Sequence, residues 1–326
     1  MTDETDAAAT SEWHEVVIVG GGPAGLSAAV YTGRAGRDTL VLERTFLGGQ
    51  IALTDLIANY PGFPDGIDGP ALVALFDRQA RQFGAAIEFA EVTGLELDGR
   101  LKIIHTTAKT YRTPILILAT GADPRLLGVP GEERLRGKGV SYCGTCDGPF
   151  FRDRRVVVVG GGDSALKEAL FLTGFASSVT IIHRRDQLRA EKFYQDRATA
   201  NEKIDIVWNS VVEDIIGEDQ VEAVQVRNVK SDQARRLETD GVFIFIGSTP
   251  NTGFLGDLFC DQDAGCLLPT DEHMETSVPG IYAIGDVRQN SYRQIATAVG
   301  EGVTAAMAAE HLLAEWGYEP GATPRP

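Results

Sequence analysis

The sequence predicts an α/β fold built on two βαβ units, and three observations carry that prediction. The first is a repeat: VVIVGGGPAGLSAAVYTGRAGRDTLVLER at residues 16–44 is matched by VVVVGGGDSALKEALFLTGFASSVTIIHRR at 156–185. The second is its patterning. Each copy opens on a β-branched run of the kind a buried parallel strand uses, turns through glycines into a helix-period segment, and ends in another apolar strand. The third is size, since 326 residues exceed one small core and suit two domains.

Within each copy the G-x-G-x-x-G/A spacing lies between a strand and a helix, the setting of a Rossmann-like dinucleotide fingerprint. Gly20 and Gly160 allow the tight turn. Gly22 and Gly162 let the backbone approach a pyrophosphate at the helix N-terminus, where free N–H groups and the helix dipole favour anions. Gly25 and Ala165 let the helix pack closely on its strand. Pro23 and Ala24 complete the first loop, and Asp163 and Ser164 the second.

The ends of the second strands tell the copies apart. Glu43 ends the first, and a carboxylate there accepts hydrogen bonds from a ribose with free hydroxyls, which suits FAD or NAD. His183 stands at that offset in the second copy, followed by Arg184, Arg185 and Arg189. Guanidinium groups grip a 2′-phosphate in bidentate fashion where a carboxylate would repel it, so NADPH is expected at the second site.

Bulk properties narrow the function classes. A net charge of −16 argues against a nucleic-acid binder, which needs a basic face. No apolar run approaches the roughly 18 residues of a membrane helix. Residues 1–14 are acidic and polar without a basic n-region or apolar h-region, and are expected to be a disordered tail rather than a signal peptide. Four cysteines do not make a disulfide framework in a chain this long, and a reducing cytoplasm is the expected compartment.

Two of those cysteines, Cys143 and Cys146, lie in YCGTCDGPF as C-x-x-C. Zinc wants four ligands, and no histidine or second C-x-x-C pair falls at ligand spacing, so no metal site is expected. A bridge over so short a loop stabilises little and would tend to be reduced in the cytoplasm. A redox dithiol beside a βαβ unit is the remaining reading. Cys260 and Cys266, spaced C-x5-C, are expected in a loop or hairpin of the FAD domain, with a regulatory disulfide as the alternative; nothing nearby would lower a thiol pKa.

With GGGPAG, GGQI, ATGADPR, C-x-x-C-D-G, GGGDSA, HRRDQLRAEK and GDV followed by YRQ, the sequence resembles the low-molecular-weight, bacterial-type thioredoxin reductases from about residue 15 to 316. The resemblance implies a two-dinucleotide flavoprotein with an NADPH domain inserted into a discontinuous FAD domain. The expected divisions are 15–122 and 251–326 for FAD, and 123–250 for NADPH and the C-x-x-C. It implies flavin-site contacts from Gly48, Gly49, Gln50, Asn59, Ala119, Thr120, Gly121, Gly285, Asp286, Arg293, Gln294 and Ile295. Electrons would pass from NADPH to FAD, to the Cys143–Cys146 disulfide, and then to oxidised thioredoxin. Cys146 would face the flavin and Cys143 would attack the partner, with Asp147 as general acid or base if burial raises its pKa. A homodimer is implied too, as is rotation of the NADPH domain between half-reactions.

Three residues depart from the family pattern. Gly144 stands where alanine is usual, which should loosen the redox turn slightly. Pro149 replaces an aromatic, and Lys167 replaces an acidic residue expected near the nicotinamide. Two rivals are a flavin-dependent dithiol oxidase of another disulfide and a non-catalytic NADPH or redox sensor. The intact second fingerprint with its arginines argues against the first, and C-x-x-C-D-G against the second.

Overall fold

The computed structural model describes residues 11–54, 56–259 and 266–321. Among them are six α-helices: α1 (Pro23–Arg34), α2 (Gly69–Gln82), α3 (Gly144–Asp147), α4 (Asp163–Leu172), α5 (Lys192–Thr199) and α6 (Ile295–Glu315). The chain divides into two compact units, Met1–Asp123 with Thr249–Pro326, and Pro124–Ser248.

The first unit is centred on a parallel sheet in the order Ile281–Ala283, Ile115–Leu118, Val16–Val19, Thr39–Glu43, Ala86–Phe89. Val16–Val19 is its middle strand and is buried throughout, which is why its apolar run does not alternate. Register sets Val19 beside both Leu42 and Leu118. Gly20, Glu43 and Ala119 therefore follow at one carboxyl edge of the sheet, where ligands of open α/β sheets bind.

Helices α1 and α6 cover one face of this sheet, over a core that includes Ile18, Leu26, Ile117, Tyr282 and Ala305. They approach through small residues: a Cβ on Gly302 would overlap the Ala24 carbonyl, and Ser27 Oγ donates to the Val299 carbonyl at 3.0 Å. The strands Thr110–Thr113, Leu101–Thr106 and Val92–Asp98 form an antiparallel meander. Its Ile104 and Tyr111 share a second core with Val17, Leu40 and Leu116.

The expectation of a disordered tail through residue 14 does not hold for Glu12 and Trp13. Residues 1–10 lie outside those described, but Glu12–Trp13 pairs in parallel with Tyr111 and Arg112. The Trp13 ring stacks on Tyr318 with centroids 6.2 Å apart, and Lys109 reaches Glu12 at 2.6 Å. An aromatic partner and an open strand edge outweigh the acidic composition.

The second unit repeats the plan. Its parallel sheet runs Val140–Ser141, Gly241–Phe245, Arg155–Gly160, Ser178–Ile182, Ile204–Val207. Helix α4 packs on one face around Val158, Leu166, Ile181 and Phe243. A meander of Ser210–Ile216, Ala223–Asn228 and Ala234–Glu238 backs the other, where Val157, Val159, Val224 and Val242 are buried. Both units are Rossmann-like, and the α/β class read from the sequence holds. Among the described residues no helix is long and apolar enough to cross a membrane.

One buried ionic cluster ties the first unit together. Arg37 donates to Glu15 at 2.9 Å, to both carboxylate oxygens of Glu310 at 2.6 and 2.7 Å, and to the Tyr318 carbonyl at 2.9 Å. The Arg37 and Glu15 side chains are 2 % and 1 % exposed. Replacing Arg37 by Met should leave Glu15 charged in a dry site and cost about 3–5 kcal/mol. Urea unfolding followed by circular dichroism checks this, and an unchanged midpoint would mean the cluster contributes nothing.

Candidate active site

The strand Val140–Ser141 leads into α3, which Cys143 caps and Cys146 nearly completes. A separation of three residues on one helical turn brings the two side chains to the same side. Cys143 and Cys146 are disulfide-bonded, with Cα atoms 5.3 Å apart. Cys143 Sγ also accepts from the Cys146 N–H at 3.1 Å and lies 3.4 Å from Thr145 Oγ1.

Ser141, which sequence reasoning passed over, holds the turn from behind. Its buried hydroxyl accepts from the Cys143 N–H at 3.1 Å and contacts the Cys143 carbonyl at 3.2 Å. Asp147 ends the same turn. Burial raises its pKa, and a hydrogen bond from Ser141 offsets part of that rise. A carboxyl group held this way is suited to giving and taking thiol protons. Gly148 then lets the chain settle on α4, since a Cβ there would meet Leu172 at 3.0 Å. Cys266 is disulfide-bonded, and Cys260 lies outside the described residues.

In the first unit the fingerprint forms a cradle. Gly20 has φ +110°, and a Cβ there would overlap the Ala119 carbonyl; a Cβ on Gly25 would overlap the Gly20 carbonyl. At Gly22 a Cβ would meet nothing within 4 Å, and the α1 N-terminus has no side-chain cap. That open space and those free N–H groups fit a pyrophosphate. Pro23 and Ala24 begin α1. Glu43 accepts from the Gly21 N–H at 2.8 Å and the Thr45 N–H at 3.0 Å, which holds its carboxylate at the loop.

Other predicted flavin contacts gather around this edge. The Gly48 N–H donates to the Gly21 carbonyl at 2.8 Å, which brings the GGQI turn, with Gly49, to the fingerprint. Asn59 donates to Gln294 at 3.2 Å across 235 residues of sequence, and Gln50 donates to Asp123 at 2.9 Å. Ala119 continues the sheet, its N–H bonded to the Val19 carbonyl. Thr120 receives a bond from Asn251 at its carbonyl, and Gly121 follows with φ +69°. Asp286 is pushed above its usual pKa by burial, with Arg293 opposing and Glu301 reinforcing the shift. Ile295 opens α6.

Glu301 was missed in the sequence, although a single acid in the apolar stretch VGEGVTAAMAA was visible. It accepts from the Gly285 N–H at 2.6 Å and from Arg288 at 2.9 Å, and so fixes the GDV turn.

The second cradle has the same form with different edges. Gly160, at φ +156°, would press a Cβ to 2.6 Å from that of Ala165, and Gly162 again faces open space. Asp163 accepts from the Glu191 N–H at 2.7 Å, and Ser164 is exposed. His183 points inward rather than toward the loop rim: its ring nitrogens lie 3.1 and 2.9 Å from the Gly160 and Gln187 carbonyls. Burial first, and the charges of Arg189 and Arg185 after it, lower the His183 pKa. Arg184, Arg185 and Arg189 are exposed. Lys167 lies over the Tyr194 ring, 4.8 Å from its centroid.

The Asp147 shift has a testable sign. Unfolded, the carboxyl ionises near its ordinary 3.8; folded, it does so at higher pH. Between those values the folded state binds the extra proton, so stability falls as pH rises through the window, and the penalty persists at neutral pH. Asp147→Asn in the oxidised protein should therefore melt above the parent at pH 7. The gap should close below about pH 4. A variant that melts lower at pH 7 would mean that the carboxylate is a net stabilising partner.

Comparisons with known proteins agree with this geometry. A family model described as pyridine nucleotide-disulphide oxidoreductase matches residues 14–302. Thioredoxin reductase of Listeria monocytogenes is 46 % identical over 304 residues, 93 % of this chain and 94 % of that protein. The Bacillus subtilis thioredoxin reductase is 44 % identical over 304 residues, 93 % and 95 % of the two chains. The crystal structure of thioredoxin reductase from Streptococcus pyogenes superposes with a TM-score of 0.88 at 46 % identity, covering 94 % of this chain and all of that one. A redox disulfide and two nucleotide cradles, matched over nearly the whole length, place this chain in the thioredoxin reductase family of flavin- and pyridine nucleotide-dependent disulphide oxidoreductases.

Proposed function

We propose that the protein is an NADPH-dependent, FAD-containing enzyme that reduces the disulfide of thioredoxin. The observation that carries this reading is the Cys143–Cys146 disulfide with the half-buried Asp147 on the same turn. When bound, the nicotinamide nucleotide and the flavin supply the electron pair. Glu43 at the end of its strand supports FAD in the first cradle. The exposed Arg184, Arg185 and Arg189 beside the second support the 2′-phosphate of NADPH. His183 is left out of that grip, since its ring holds backbone carbonyls instead.

The chemistry at the cysteines balances as follows. Two electrons and two protons open the Cys143–Cys146 bond to two thiols. Cys143, deprotonated, attacks one sulfur of the substrate disulfide; that bond breaks and the departing sulfur takes a proton. Cys146 then attacks Cys143 in the mixed disulfide, restores the original bond and releases the second substrate thiol. Asp147 accepts and returns protons at the sulfurs. Phe150, 54 % exposed three residues beyond Asp147, offers a protein partner an apolar contact.

The decisive measurement is NADPH consumption on adding oxidised thioredoxin. Cys143→Ser and Cys146→Ser should each abolish it, while NADPH still bleaches the flavin absorbance. A protein that bleaches with NADPH but leaves thioredoxin oxidised would point to a different disulfide substrate.

Cofactor choice is tested separately. A hydrogen bond to a charged group is worth about 1.5–3 kcal/mol, so Arg184→Ala or Arg189→Ala should weaken NADPH binding by roughly 10- to 100-fold. NADH binding should hardly change. Equal losses with both nucleotides would assign those arginines to the fold instead.

A further inference from the structure

Glycine at position 144 is not demanded by the backbone. Gly144 lies in the right-handed turn of α3 and is absent from the residues with positive φ, so alanine could adopt its conformation. What the missing side chain leaves is space, and that space is filled: a Cβ on Gly144 would overlap Oε2 of Glu168 and come within 3.3 Å of its Cδ. Gly144 is itself buried. The turn is therefore not looser for having glycine, as its sequence alone suggested. It is closed over by a carboxylate from the neighbouring helix.

Glu168 sits on α4, in the turn after the second fingerprint. Its Oε2 is buried without a well-formed hydrogen bond among the described residues. Burial raises the Glu168 pKa, while the N–H groups of Thr145 and Gly144 act in the opposite sense and favour the charged form. Those two amides belong to the residues between the redox cysteines. The third amide of the turn, that of Cys146, already donates to Cys143 Sγ. The Glu168 carboxylate is thus packed against the same four-residue turn that holds the sulfur.

We propose that Glu168 is a positioning residue for the redox turn, whose carboxylate, packed against Gly144, keeps the Cys143–Cys146 pair more strongly reducing. A carboxylate packed against the turn repels the thiolate that forms when the disulfide opens. That repulsion disfavours the reduced form, so a reduced pair gives up its electrons more readily. Asp147, on the turn itself, is the other acid beside the cysteines, and Lys167, next to Glu168 in sequence, is drawn toward the Tyr194 ring. The inference rests on Cys143–Cys146 being the redox pair, but not on thioredoxin being its substrate.

The test uses the flavin-loaded enzyme and no thioredoxin. Wild type, Glu168→Gln and Gly144→Ala are equilibrated with mixtures of oxidised and reduced dithiothreitol. Free thiols are then trapped by alkylation and counted by mass spectrometry. Glu168→Gln keeps the shape and removes the charge, and should shift the equilibrium toward the dithiol by about tenfold, roughly 30 mV for a two-electron couple. Gly144→Ala leaves Glu168 in place but displaces its carboxylate, and should shift the pair in the same direction by a smaller factor. The Cys143 thiol should also react faster with iodoacetamide at neutral pH in both variants. Shifts of less than twofold in both, with unchanged melting temperatures, would overturn the proposal, as would a shift toward the disulfide. Failure to reduce thioredoxin would bear on the substrate alone.

Discussion

Both nucleotide cradles depend on one close contact, the approach of a helix's first turn to the end of the strand before it. In the first unit a Cβ on Gly25 would overlap the Gly20 carbonyl, and in the second Gly160 and Ala165 leave room for no larger side chain. This distance fixes the angle at which α1 and α4 leave their sheets. It therefore decides where the N-terminal amides of each helix point. The central strand, the helix that covers it and the loop edges that bring Glu43 or His183 to the cradle are all referred to it. Larger side chains here would separate helix from sheet and displace the anion site with it.

The second organising constraint is the handling of buried acids. Glu15 is neutralised by Arg37, and Glu301 by Arg288 together with a backbone amide. Asp147 and Asp286 have weaker compensation and are pushed above their ordinary pKa by burial. The difference separates scaffold from chemistry. A fully paired carboxylate holds structure, whereas one left partly unpaired has its ionisation shifted upward by burial, as befits a group that exchanges protons. Glu168 belongs with the second group by its burial and by its seat against the redox turn.

His183 illustrates how position and orientation come apart. Its offset from the second fingerprint equals that of Glu43 from the first, and a positive group there would suit a 2′-phosphate. The ring instead spans the Gly160 and Gln187 carbonyls, and a Cβ on Gly161 would collide with it. The imidazole thus braces the loop from beneath, and burial opposes its protonation. The arginines that follow it are exposed.

The fold class, both fingerprints and the redox pair were legible from the sequence. Each is a local matter: strand and helix periodicity, glycine at turns, and two cysteines on one helical turn are set by neighbours within a few residues. Glu12–Trp13 escaped that reading because its pairing with Tyr111 and its stacking on Tyr318 lie roughly 100 and 300 residues away. Glu301 and Glu168 escaped it for a related reason, since a lone acid on a helix carries no sign of the amides it will meet. Ser141 lies two residues from Cys143, yet only the folded turn aims its hydroxyl. Sequence determined which segments become strands, cradles and redox turn; tertiary packing alone decided which carboxylates are paired and which stay poised, because burial and partner distance exist only once distant segments meet.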